Sequence, residues 1–112
     1  VLVAGINEAV CEGLALGEKL GLDPAKLLPT LMAGAAANWF LDKRGATMLA
    51  GQFTPGFKCA HLLKDLTIVQ GMANDVGLHS SVIEMARDHY AQLVLRGEAD
   101  SDTSALILLK RG

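Results

Sequence analysis

The side chains able to carry chemistry in this 112-residue chain gather around one junction, Phe53-Thr-Pro-Gly-Phe-Lys-Cys-Ala-His-Leu-Leu-Lys-Asp65. Lys64 offers a positive charge that favours a bound carboxylate or hydrogen-bonds the polar edge of a cofactor, more strongly where a cleft excludes water. Asp65 lies one residue round from it. The two therefore cannot form the usual helix pair spaced by three or four residues, and they address different neighbours. Phe57 precedes Lys64 by close to two helical turns. That spacing places the ring and the ammonium on one face with Ile68, Gly71 and Asp75, roughly opposite a core face of Leu62, Leu66, Val69, Ala73 and Val76. A solvated face with one chance aromatic produces the same pattern, so residue types and spacing leave both readings open.

Other reactive residues give less. Cys11 and Cys59 are the only cysteines, and two in a chain with ample apolar residues make no disulfide framework, so a reducing, cytoplasmic setting is expected. His61, His79 and His89 have no ligand spacing with each other or with the cysteines, and no metal site is expected. Asp102-Thr103-Ser104 is accounted for by helix capping, and Trp39 reads as a buried anchor, with a cleft-facing role the alternative. The net charge of -2, with acids and bases interspersed, gives neither a basic stripe for nucleic acid nor a polybasic surface for a membrane. Glu8 and Glu12 interrupt the apolar first segment, so it is not read as a spanning helix or a signal peptide.

The elements that must position these residues are helical. Apolar residues make up 51% of the chain but aromatics only 4%, a balance that suits closely packed helices better than sheets rich in Val, Tyr and Thr. All-α is the expected class, with 1–112 as a single helical domain. A first helix from Val1 carries the stripe Val3, Ile6, Val10 and Leu14 and stops at Gly21. Beside the stripe, Gly5, Ala9, Gly13 and Gly17 form a ladder of small residues. Its cost in helix propensity implies close approach by another helix. Asp23-Pro24 starts a second helix to about Ala33, with a bend or tighter turn expected at Pro29. Asn38 caps a short helix through Leu41, and Gly45 is expected to break the chain before another short stretch, Ala46 to Ala50. Thr54-Pro55-Gly56 turns the chain into a helix beginning near Phe57 and running to about Val76. Ser81 with Glu84 reads as a capping box, and Asp102 or Thr103 caps the last helix.

The segment Gly51-Gln-Phe-Thr-Pro-Gly-Phe57 followed by Lys64-Asp65-Leu66 resembles the carboxyl-terminal domain of the β-hydroxyacid dehydrogenases, the family of 3-hydroxyisobutyrate dehydrogenase and tartronate semialdehyde reductase. Glu12-Gly-Leu-Ala-Leu-Gly-Glu-Lys-Leu-Gly-Leu-Asp23, Asn38-Trp39 and Asp102-Thr-Ser-Ala-Leu106 agree with it in order along the whole chain. The resemblance implies an all-α, multi-helix bundle like the 6-phosphogluconate dehydrogenase-like C-terminal domain. It also implies a separate amino-terminal Rossmann domain, outside these residues, that binds most of an NAD or NADP cofactor. The family's catalytic Lys, in a Lys-x-x-Asn motif, would fall just before Val1, and Asn7 does not replace that motif because no Lys precedes it at the required spacing. This segment alone would then be inactive. By the same resemblance Phe57, Lys64 and Asp65 are cofactor-binding residues at an interdomain cleft, the substrate is a small hydroxy acid, and the protein is a homodimer or homotetramer. The wide apolar arc of the first helix, from Leu2, Leu16 and Leu20 round to Val3, Val10 and Leu14, fits a second copy as its cover. The rival expectation is a non-catalytic helical module of the same descent, distinguished by a residue other than Lys at the upstream position.

Overall fold

A computed structural model describes residues 1–112, and the chain is helical from end to end. The helices are α1 (Leu2–Lys19), α2 (Pro24–Met32), α3 (Trp39–Leu49), α4 (Cys59–Asp75), α5 (Ser81–Leu95) and, after a 3-10 turn at Thr103–Leu106, α6 (Ile107–Arg111). No extended strand occurs, and a single antiparallel bridge joins Lys58 to Asp102. Helix α1 is the central element, packed against α3, α5, α6 and the 3-10 turn, while α4 and α5 form an antiparallel pair. The core they share is dominated by Leu14, Met48, Leu66, Ile83, Tyr90, Leu93, Leu106 and Ile107.

Several boundaries follow from the sequence directly. Gly21 adopts φ 74° after α1, the left-handed conformation that ends a helix and that glycine adopts without strain. Asp23 caps α2 by accepting the Ala25 N–H at 3.0 Å, and Asn38 caps α3 by accepting that of Leu41 at 2.9 Å.

Four expectations are corrected. Helix α3 runs unbroken through Gly45, which is buried against α2, where an added Cβ would lie 2.9 Å from Leu28 Cδ2. The glycine there serves close helix approach rather than a break. Helix α2 remains α-helical through Pro29, so the tighter turn does not form there, and both Pro29 and Ala25, whose carbonyl loses its partner, are exposed to water. The N-cap of α5 is Ser80, not Ser81, with its Oγ accepting the Ile83 N–H at 3.2 Å. Helix α4 begins at Cys59 rather than near Phe57, because the segment before the 3-10 turn supplies its acceptors. The Cys59 N–H donates to the Ser101 carbonyl at 2.9 Å and that of Ala60 to Ala99 at 3.0 Å. Phe57 therefore stands outside the helix, and its seven-residue register with Lys64 does not exist.

The small-residue ladder on α1 divides. A Cβ at Gly17 would lie 2.7 Å from Leu27 Cδ2 and one at Gly5 would lie 3.5 Å from Val82 Cγ1, whereas Gly13 faces open space. Leu2, Val3, Ile6 and Leu16 are exposed on the same helix, as is Leu20 at its C-cap. At its inner side Glu8 is buried, with His89 Nδ1 2.6 Å from Oε1 and Lys110 Nζ 2.7 Å from Oε2, so one carboxylate ties α1 to α5 and α6.

Candidate functional site

A cavity of about 360 Å³ opens between the amino-terminal half of α1, the start of α3 and the Gly56-Phe57 turn. Its apolar wall is Val3, Ile6, Trp39, Phe40 and Phe57, and its polar lining includes Asn7, Arg44 and Asp102. Trp39 is the first residue of α3, held there by the Asn38 cap. It is 64% exposed, which corrects the expectation of a buried anchor. Its indole faces the Arg44 guanidinium at 5.3 Å from the ring centroid, a cation–π geometry.

Asp102 is the hinge pin of this region. Its Oδ1 accepts the main-chain N–H groups of Gly56 at 3.0 Å and Phe57 at 3.1 Å. Its Oδ2 accepts the N–H and hydroxyl of Ser104 and sits 3.3 Å from Arg44 Nε. Burial by itself would raise this carboxyl, but the hydrogen bonds from Ser104, Phe57 and Gly56 outweigh it and hold it below the usual carboxylate range. Capping is thus only part of the role of Asp102, and the reading of it as a cap alone is corrected. A Cβ at Gly56 would displace the end of the Arg44 side chain from its place beside Asp102.

Phe57 belongs to two concavities. Besides the main cavity it borders a groove of about 220 Å³ between α1 and α4, with Val1, Val3, Leu62, Asp65 and Val69. The fold therefore brings Phe57 and Asp65 to one groove. Lys64 is exposed on α4 and lines neither concavity. Neither thiol is a nucleophile: burial pushes Cys11 far up, and burial with the nearby Asp102 and Glu98 carboxylates pushes Cys59 up to about 12.

A family model described as NAD-binding of NADP-dependent 3-hydroxyisobutyrate dehydrogenase matches residues 1–109. The chain belongs to this family. It is 34% identical over 109 residues to the uncharacterized oxidoreductase YkwC of Bacillus subtilis, covering 97% of this chain and 38% of that protein. It is 32% identical over 107 residues to the 2-hydroxy-3-oxopropionate reductase of Escherichia coli K12, covering 96% of this chain and 37% of that one. The solved 3-hydroxyisobutyrate dehydrogenase of Mycobacterium tuberculosis, with L-serine, aligns with a TM-score of 0.85 and 26% identity over 99% of this chain and 40% of that one. The chain thus spans well under half the length of these relatives.

The family is one of NAD(P)-dependent hydroxyacid dehydrogenases. In this 3-hydroxyisobutyrate dehydrogenase-family chain, the main cavity fits the nicotinamide end of such a cofactor. It offers apolar and aromatic walls for a flat ring, and Asn7 at its lining has a buried Oδ1 without a hydrogen-bond partner. The pyrophosphate has no comparable seat, since no glycine-rich turn links a strand to a helix. Sequence reading missed Arg44 because it lies in no run with chemical character, and it weighed Asn7 only as a substitute for the family's Lys-x-x-Asn motif. The spacing of 58 residues between Arg44 and Asp102 leaves no local signal either.

Proposed function

We propose that residues 1–112 form the helical substrate and dimerisation domain of an NAD(P)-dependent oxidoreductase acting on a small β-hydroxy acid, with a Rossmann domain closing over the cavity. The observation that carries this is the pairing of exposed Trp39 and Phe57 on the wall of one open cavity, both braced from behind by Arg44 and Asp102. Large rings left in water beside a cavity are costly unless something covers them. A bound NAD(P) would supply the hydride-transfer chemistry. The residues of this chain bind and orient: Phe57 and Trp39 exclude water from the reacting end, Arg44 supplies positive potential, and Asp102 fixes the turn that carries Phe57. Lys64 and Asp65 act at the outer rim, Lys64 as a cation for a carboxylate or the cofactor's polar edge and Asp65 as an orienting group in the groove beside Phe57. The exposed apolar face of α1 is covered by a second copy in the assembled protein. The test is an assay of the full-length protein against a panel of 3-hydroxy acids with NAD and with NADP. Turnover of at least one acid is expected, and none with either cofactor overturns the proposal.

A further inference from the structure

Arg44 borders two spaces. One is the cavity walled by Trp39 and Phe57, and the other is a polar chamber of about 280 Å³ whose lining includes Thr47, Gln52, Thr54 and Ser104. Only Arg44 and Gly56 are common to both, and no acidic side chain lines the chamber.

The Arg44 guanidinium is incompletely met within the chain. Its Nε lies 3.3 Å from Asp102 Oδ2, but a carboxylate offers only about four lone-pair sites. Those of Asp102 are taken by the N–H groups of Gly56, Phe57 and Ser104 and by the Ser104 hydroxyl. The single hydrogen bond that Arg44 donates runs from Nη1 to the Lys43 carbonyl at 3.4 Å, and Nη2 has no acceptor.

The rest of the lining adds donors rather than a counter-charge. Thr47 and Ser104 spend their hydroxyl protons on the Arg44 carbonyl and on Asp102. Gln52 and Thr54 are exposed, and their side chains make no hydrogen bond in the chain. One cation and two free neutral donors, with no acid beside them, select an anion. Donors on three separate side chains suit a tetrahedral ion, which has oxygens on several sides, better than the two oxygens of a planar carboxylate.

We propose that this chamber binds a phosphate group, free or carried on a small metabolite, with Arg44 Nη2 as the cation and Gln52 and Thr54 as flanking donors. The site is separate from the Trp39 and Phe57 cavity, and the inference does not rest on what that cavity receives.

Calorimetric titration of the full-length protein tests it, with wild type and the double variant Gln52→Leu, Thr54→Val measured side by side so that phosphate bound elsewhere is common to both. Wild type is expected to take up inorganic phosphate with a dissociation constant of about 1 mM or tighter. The double variant should bind about tenfold or more weakly, and Thr54→Ser, which keeps the hydroxyl, as wild type does. Acetate should bind wild type about tenfold more weakly than phosphate. Methyl phosphate separates the two sources: affinity equal to that of phosphate assigns the site to a phosphate carried on a metabolite, and weaker affinity assigns it to the free ion. No uptake by wild type up to about 10 mM overturns the inference, as does acetate binding as well as phosphate. Equal uptake by wild type and double variant, the mark of an adventitious ion only, overturns it too. Circular dichroism checks that the double variant folds, and if it does not, Arg44→Gln takes its place under the same criteria.

Discussion

The Asp102 carboxylate holds the main-chain N–H groups of Gly56 and Phe57, residues that precede it by 46 and 45 positions. The turn carrying Phe57 is therefore positioned from the far end of the chain. Asp102→Ala should strand these donors and Arg44, lowering unfolding stability by about 3–5 kcal/mol, as denaturant titration will show. The pH dependence has a definite sign. The folded carboxyl titrates below its unfolded value, so its contribution is full above about pH 4 and is lost as pH falls through the folded pKa. Asp102→Asn should flatten that acid limb of the stability curve.

Glu8 is nearly sealed from water between Lys110 and His89. Replacing Lys110 by Met keeps the packing of the stem but leaves the carboxylate with one partner, at a cost of about 3–5 kcal/mol. A melting temperature unchanged in Lys110→Met would show that the pair contributes nothing net.

Lys64 is exposed and makes no ion pair in this chain. Lys64→Ala in the full-length protein is expected to leave the melting temperature within about a degree or two, since a surface change away from special features shifts stability by less than about 0.5 kcal/mol. Catalytic efficiency should fall. Steady-state kinetics indistinguishable from wild type would remove Lys64 from the site.

Gly13 faces open space on the exposed apolar side of α1, where it borders a groove of about 340 Å³ with Ile6, Ala9, Val10 and Leu31. A Cβ there meets nothing within 4 Å, and leucine favours the helix over glycine by up to about 1 kcal/mol. Gly13→Leu should therefore fold normally and yet associate less. Circular dichroism checks the folding and light scattering at micromolar concentration the association, and a wild-type monomer would contradict the assembly reading.

Helices and their caps were legible because apolar spacing and capping are local signals: Asp23, Asn38 and Gly21 act where the sequence places them, but the core faces were read less well, since Val3, Ile6 and Val76 are exposed and Glu8 is buried. The errors came from contacts across the chain. Gly45 looked like a breaker because Leu28, its packing partner, is seventeen positions away. The start of α4 was misplaced because its first N–H groups are satisfied by Ala99 and Ser101 rather than by a side-chain cap. That shift separated Phe57 from Lys64 and joined it instead to Trp39, Arg44 and Asp102, a grouping no spacing rule could assemble. Asn7 was set aside for lacking a neighbouring Lys, although what distinguishes it is an unpaired oxygen visible only in the fold.

The central claim is that the cavity walled by Trp39 and Phe57 receives the reacting end of the ligands. The most direct test is a crystal structure of the full-length protein with reduced cofactor and a bound 3-hydroxy acid. The account predicts nicotinamide or acid in contact with both rings. Ligands bound elsewhere, with Trp39 and Phe57 facing solvent or packed against protein alone, would contradict it.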